Sequence, residues 1–360
     1  AVSALQNALR LNPQYAEAYI NLGIALTYLG RTREALTSFE AALRREPGQA
    51  SGYSALLFSR LYLATTTPGE WFAACRRFAE RYETPLRKRW PAHRNVRDPG
   101  RRLKVGYVSP DFRRHSVAYF IEPILARHDR SRIEVHCYYN HTMRDETTAR
   151  IAASADHWVP CKGLSDEELS ERIREDGIDI LVDLAGHSVD NRLPAFARKP
   201  APVQITYLGA PASTGLDAMD YRLCTLDTDP PGQEEWHSET LYRLPRTLWC
   251  YRPGGDRQPS APRADQITFG SLNNIAKVSE HSLSAWAQIL CALPAARLVM
   301  TQVPEGSARR RIHDHFAARG IEPDRIVLHG RMPEAQYLEL LTAIDIALDP
   351  FPYTGTTTTC

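Results

Sequence analysis

Hydrophobic positions change period partway along the chain. In residues 16–30 (AEAYINLGIALTYLG) and 32–45 (TREALTSFEAALRR), Tyr19, Leu22, Leu26, Leu36, Phe39 and Leu43 recur at helical spacing. A strand has period two and cannot gather that set on one face. The spacing predicts two helices, the first closed by Gly30 and the second stopped before Pro47, with Ala16, Gly23, Ala35 and Ala42 allowing close approach. Residues 1–11 and 70–82 read as further helices. From residue 103 short strand-like runs take over: LKVGYVS (103–109), EVHCYYN (134–140), IDILVDLAG (178–186), VQITYLG (203–209) and YRLCTLD (221–227). After a polar stretch at 253–265 come ITFGSLN (267–273), RLVMTQ (297–302), RIVLHG (325–330) and IALDP (346–350). Helix-like segments separate several of these runs. Residues 165–177 are the clearest, with Ser165 as N-cap, Glu168 three residues on, and Gly177 just past the end. Strands alternating with helices imply parallel sheets covered on both faces.

The helical part has an internal period. Pro13 and Pro47, Ala8 and Ala42, Tyr19 and Tyr53, and Leu22 and Leu56 each stand 34 residues apart. That is the period of a tetratricopeptide helix-turn-helix repeat, whose stacked units offer a concave surface to other proteins. The expected division is tetratricopeptide repeats and capping helices over 1–90, a linker over 91–102, a first α/β lobe over 103–262, and a second over 263–360. The second lobe is expected to be incomplete at Cys360, and further repeats are expected before Ala1. Two doubly wound lobes predict a nucleotide site at the carboxyl ends of their strands, in a cleft between them.

Composition narrows the chemistry. A net charge of +2 argues against a dedicated nucleic-acid binder. No apolar run approaches the ~20 residues of a membrane span. Seven cysteines, odd in number and without a C-x-x-C, fit reduced thiols and a cytoplasmic protein better than a disulfide framework or a zinc site. No Walker loop, G-x-G-x-x-G, H-E-x-x-H or G-x-S-x-G appears, which speaks against a kinase, a dehydrogenase and the common hydrolases.

Candidate residues cluster at strand ends. PYTGTTTTC (352–360) puts backbone N–H groups and the hydroxyls of Thr356, Thr357 and Thr358 where a helix should begin, a place suited to phosphate. Asn273, Asn274 and Lys277 follow a strand, where the lysine could face a diphosphate. His115 lies where the first strand of the first lobe hands over to a helix, and could move a proton near neutral pH. Gly186, Gly209 and Gly215 allow close approach of backbone, to a ligand or within a turn, and Pro211 lies in the same LGAPASTG segment. Asp227-Thr228-Asp229, followed by two prolines, reads as a loop. His313 and His315 diverge on a helix and are no metal pair.

Taken in order, these segments resemble the O-linked N-acetylglucosamine transferases, in their compact bacterial form without a large domain inserted between the lobes. The most specific pieces are LKVGYVSPDFRRHS, KPAPVQITYLGAPASTGLDAMDY, FGSLNNIAK with Trp286, and LDPFPYTGTTTTC. The resemblance implies a GT-B type enzyme with two Rossmann-like lobes. It implies inverting transfer of N-acetylglucosamine from UDP-GlcNAc to protein serine and threonine hydroxyls, with no metal and no cofactor, on protein or peptide acceptors held by the repeats. By the same resemblance Lys277 binds the donor diphosphate and Asn274 lies at the donor site. Thr357 and Thr358 match the paired threonines of the phosphate-binding turn, and Gly209 and Pro211 are assigned to the donor site. Thr356 and Tyr337 stand where animal members have histidine, and Tyr337 could stack on the base. His115 matches a proposed catalytic base. Two alternatives stay open: fucose transfer from a guanosine diphosphate donor, and a non-enzymatic repeat scaffold.

Overall fold

The protein is seen in a computed structural model that describes residues 1–98, 100–252 and 266–360. The polar stretch 253–265, with the lobe boundary expected in it, lies outside the described residues. Helices come first: α1 (Val2–Leu11), α2 (Ala16–Tyr28), α3 (Thr32–Arg45), α4 (Ala50–Arg60) and α5 (Pro68–Tyr82). Then follow β1 (Leu103–Ser109), α6 (Ser116–Leu125), β2 (Ile133–Tyr139), α7 (Glu146–Ala153), β3 (His157–Pro160), α8 (Asp166–Glu175), β4 (Ile180–Asp183), α9 (Leu193–Phe196), β5 (Val203–Thr206), β6 (Tyr221–Cys224) and β7 (Thr240–Arg243). The last stretch holds β8 (Thr268–Ser271), α10 (Glu280–Ala292), β9 (Arg297–Met300), α11 (Ser307–Ala317), β10 (Ile326–Leu328), α12 (Glu334–Thr342) and β11 (Ile346–Ala347). This is a tetratricopeptide-type helical region followed by two Rossmann-like α/β lobes, the GT-B class of fold.

By packing, the chain forms two compact units that do not follow chain order. One comprises residues 1–48, 59–66 and the described part of 255–360; the other comprises 49–58 and the described part of 67–254. The division expected from the sequence, at residues 90, 102 and 262, keeps all helices together, whereas packing distributes them between both units.

In the first unit, α2 ends in a turn that the sequence specifies. Gly30 takes φ +68° and donates its N–H to Thr27 O at 2.9 Å, while Arg31 N–H reaches Leu26 O at 2.9 Å. This pairing satisfies carbonyls that the helix end would otherwise orphan, and glycine adopts it without a Cβ clash. Gly23 lets α3 close on α2, since a Cβ there would stand 2.5 Å from the Phe39 ring. Leu22, Leu26 and Phe39 are buried, whereas Tyr19, Leu36 and Leu43 are only half-buried. The Arg45 guanidinium lies over the Tyr19 ring instead, 4.2 Å from its centre. The same unit holds a parallel sheet in the order β10-β9-β8-β11. Its core gathers Phe269, Leu283, Trp286, Leu298, Ile312 and Phe316, and Leu29 of the helical region packs against it. Arg311 donates to Gly30 O at 2.9 Å.

In the second unit a parallel sheet runs β3-β2-β1-β4-β5-β6-β7. Val105, Tyr107, Val135, Cys137 and Val182 form its core with Phe120, Ile121 and Leu125 of α6. The α8 cap is as expected: Ser165 accepts from Glu168 N in a reciprocal box, and Gly177 takes φ +67°. Thr67, with Pro68 and Glu70, caps α5 in the same way. Two strands escaped the sequence reading, β3 and β7. Each is four residues long and lies at a sheet edge, where solvent leaves no full apolar pattern to find.

Candidate active site

Both sheets reverse strand order beside their first strand. In one, β1 is flanked by β2 and β4; in the other, β8 is flanked by β9 and β11. Helices on either side of such a switch point diverge, which opens a crevice at the carboxyl ends of the two strands. His115, Asn274, Lys277 and the threonines fall there, whereas Gly209 and Pro211 follow β5 and Tyr337 lies in α12.

In the first unit, the segment after β8 holds Asn274 and Lys277, and the segment after β11 holds the threonines. Asn274 caps a 3-10 turn (Ile275–Lys277), its side chain accepting from Ala276 N at 3.0 Å. That turn carries Lys277 towards the other segment. Its ammonium donates to Thr354 O at 3.0 Å and lies 4.4 Å from the centre of the Tyr353 ring. One of its three N–H bonds is thus fixed to the loop itself. Tyr62 packs on Tyr353 with ring centres 5.3 Å apart. Asp349 organises the loop: one carboxylate oxygen accepts from Gly355 N and from Asn273 Nδ2, both at 3.2 Å, and the other from Thr359 Oγ1 at 3.2 Å. Cys360 N donates to Thr356 O at 3.1 Å, closing one turn around Thr357 and Thr358. Tyr337 of α12 reaches Thr358 with its hydroxyl at 3.3 Å. Lys277 and Tyr337 therefore reach the same loop after β11, the lysine at Thr354 and the tyrosine at Thr358, with Asn274 shaping the turn that carries the lysine. Burial pushes the Lys277 ammonium down to about 8, against the opposing pull of Asp349. At neutral pH it is still mostly charged.

In the second unit, His115 is the N-cap of α6, immediately after β1. Its Nδ1 lies 3.3 Å from Val117 N and 3.4 Å from Asp111 Oδ2. The ring serves one partner at a time. When Nδ1 accepts from Val117, the proton sits on Nε2; when Nδ1–H donates to Asp111, the Nε2 lone pair is left to accept a proton. Asp111 is held by its own N–H on Ser109 Oγ at 2.9 Å and by Arg113 at 3.2 Å. Burial lowers the His115 imidazole from its ordinary 6.5, against the Asp111 charge, so the neutral ring dominates at pH 7. Burial raises Asp111, against the pull of His115 and Arg113.

The glycines have a packing explanation. Gly209 takes φ +59°, and a Cβ there would stand 2.4 Å from the Ala185 carbonyl. Gly186, at φ +55°, faces Ala210, and Gly215, at φ +77°, faces the backbone of Cys75. Their close approaches are to protein. Pro211 is exposed in the turn beside Gly209. Asp229 is buried against Arg222 at 3.6 Å and His237 at 3.4 Å, which makes Asp227–Asp229 a structural loop. Sequence reasoning missed Asp111, Asp349, Tyr353 and Tyr62. For the two acids a signal existed, an Asp just past the end of a strand.

A solved structure settles the kinship. Over 99% of its length the chain superposes on a Thermobaculum terrenum O-GlcNAc transferase, a lysine-to-methionine mutant, with TM-score 0.94 and 38% identity, spanning 69% of that chain. The model of glycosyl transferase family 41 matches residues 80–258. The chain belongs to glycosyl transferase family 41. A tetratricopeptide repeat model matches residues 16–49. Among curated relatives, the probable UDP-N-acetylglucosamine–peptide N-acetylglucosaminyltransferase SPINDLY of Petunia hybrida is 40% identical over 277 residues, 74% of this chain. Its counterpart in Arabidopsis thaliana is 37% identical over 84% of this chain. The chain spans only 30% and 34% of those two relatives, about a third of their length. No helix among the described residues is long and apolar enough to cross a membrane.

Proposed function

We propose that this family 41 chain transfers N-acetylglucosamine from UDP-GlcNAc to serine or threonine hydroxyls of proteins, with inversion and without a metal or cofactor. The observation that carries the reading is the half-buried Lys277 ammonium, set at a switch point against Thr354 of the loop that leads into the Thr356–Thr358 turn. As the sugar leaves, negative charge gathers on the diphosphate. A cation and oriented N–H and hydroxyl groups at that point stabilise the departing charge more than the ground state. The preset contacts with Thr354 and Tyr353 hold the ammonium in place, so little reorganisation is needed when the charge develops. Gly209 and Pro211 are retained as donor-site residues by family resemblance alone.

The acceptor hydroxyl must lose a proton. We assign that role to Nε2 of His115, in the tautomer whose Nδ1–H points to Asp111. The repeats are proposed to present protein acceptors, as the relatives' peptide transferase names suggest. No two of the seven cysteines form a disulfide, which supports a cytoplasmic setting.

The test is a thermal-shift panel of nucleotide diphosphates beside transfer of labelled sugar to a serine-containing protein. A ligand that binds only the folded chain raises its melting temperature by mass action. Stabilisation by uridine diphosphate with transfer from UDP-GlcNAc is the expected result. Stabilisation by guanosine diphosphate alone would replace the sugar by fucose, and no response to either would leave a scaffold.

A further inference from the structure

A central strand of a parallel sheet is normally apolar on both faces, because helices cover both. Strand β2 departs from this. Val135, Cys137 and Tyr139 enter the apolar core, while Glu134, His136 and Tyr138 alternate onto the opposite face. Tyr138 is accounted for by its hydroxyl bond to Asp176 at 2.7 Å. Glu134 and His136 meet a third residue, His157, which opens edge strand β3 and is the register partner of His136.

Glu134 Oε1 stands 3.0 Å from Nε2 of His136 and 3.0 Å from Nε2 of His157. The two rings lie 4.2 Å apart, and the three potential ligand atoms fall within 4.8 Å of one another. It is the one such three-residue cluster among the described residues. The second carboxylate oxygen of Glu134 faces Arg102 at 3.6 Å, which turns Oε1 alone towards the histidines. His136 is 3% exposed, so its ring is held in place with Nε2 turned to Glu134.

We propose that Glu134, His136 and His157 bind a divalent transition metal of the zinc class, which clasps edge strand β3 to β2. Ligand atoms ~2.0–2.2 Å from such an ion lie about 3.3–3.6 Å from one another in a tetrahedron, so the Glu–His separations of 3.0 Å need only a few tenths of an ångström of opening. His157 is exposed and its ring can swing to complete the set. Two imidazoles and one carboxylate suit zinc and its neighbours, not magnesium or calcium. Each imidazole gives its Nε2 lone pair to the metal and carries its proton on Nδ1 instead, so no net proton is lost. Water fills the fourth position on the exposed side. The ligands lie in the early residues of β2 and β3, at the opposite end of the sheet from His115, so the ion takes no part in sugar transfer.

The experiment uses the full chain, metal-stripped, with exposed Cys250, Cys291 and Cys360 alkylated so that thiols cannot compete for the ion. Zn²⁺ alone is titrated by calorimetry, and Co²⁺ absorption reports ligand geometry. The expected result is one equivalent bound. Glu134→Gln and His157→Gln should each weaken binding at least ~10-fold, since each removes one protein ligand of three. Zn²⁺ should raise the melting temperature of the native chain but not of His157→Gln. His157 is exposed, so that variant should fold. Binding of equal strength in His157→Gln, or no stoichiometric binding to the native chain, overturns the site.

Discussion

After β1 the chain passes Asp111 and His115 on its way into α6; after β8 it passes Asn274 and Lys277 on its way into α10. The two segments occupy the same topological position, next to the switch point of a parallel sheet, yet they carry opposite chemistry. One presents a neutral imidazole backed by a buried acid; the other presents a cation backed by a backbone carbonyl and an aromatic ring. The flanking strands contrast as well. Asp183 at the end of β4 is wholly buried and spends its oxygens on Ala185 N, Gly186 N and Thr206 Oγ1, whereas Asp349 after β11 is exposed and orders the loop against Lys277. One fold can thus host a base or a cation at the same address, and the identity of the turn residues decides which.

Breaking the cation should have the largest effect. Lys277→Ala is expected to slow transfer roughly 10²–10³-fold, about 3–4 kcal/mol, with an unchanged melting curve. Near-normal transfer would remove Lys277 from the mechanism. His115→Ala should cost about 10²-fold in kcat, the low end for a general base, because a donor phosphate oxygen can take the proton instead. Donor affinity should hardly change, and a parallel loss of affinity would make His115 a binding residue.

The pH profile sharpens the same contrast. Lys277 acts as its protonated form and its ammonium titrates at about 8, so kcat/KM should fall as pH rises through that value. His115 acts as its neutral form and titrates below 6.5, so the acid limb should lie under the ordinary histidine range. Lys277→Arg should be slow but should lose the alkaline limb, since guanidinium stays charged. An alkaline limb that survives in the arginine variant would assign it to another group.

The smallest effect on chemistry should come from Gly209→Ala. Its cost is expected in stability, about 2–4 kcal/mol, because a Cβ at positive φ meets the Ala185 carbonyl. Loss of donor binding at an unchanged melting temperature would instead make Gly209 a ligand contact.

Much of this was legible in the sequence where one local pattern sufficed. LKVGYVS announced β1 by alternation, and Ser165, Glu168 and Gly177 announced both ends of α8. The 34-residue offset announced the helical pairs. Lys277, Tyr337 and the threonines were legible through resemblance. Asp111 and Asp349 left only the weak signal of an Asp just past a strand end and Tyr353 left none, because their partners are fixed by where strand ends converge. Glu134 and His136 could have been noticed, since residues i and i+2 share a strand face, but His157 arrives from a strand too short to detect.

The assignment of residues 1–48 to the same compact unit as the last lobe bears on how the chain matures. Leu29, Gly30 and Tyr62 leave the ribosome well before Ile275, Arg311 and Tyr353, their packing partners, exist. At ribosomal speeds of roughly 5–20 residues per second, that interval is on the order of ten to sixty seconds. The lobe emerging between them has its own core and can settle first. Until the last lobe follows, the side chains that later pack against it, Leu29 among them, stay uncovered, a stretch of nascent chain that a chaperone would shield.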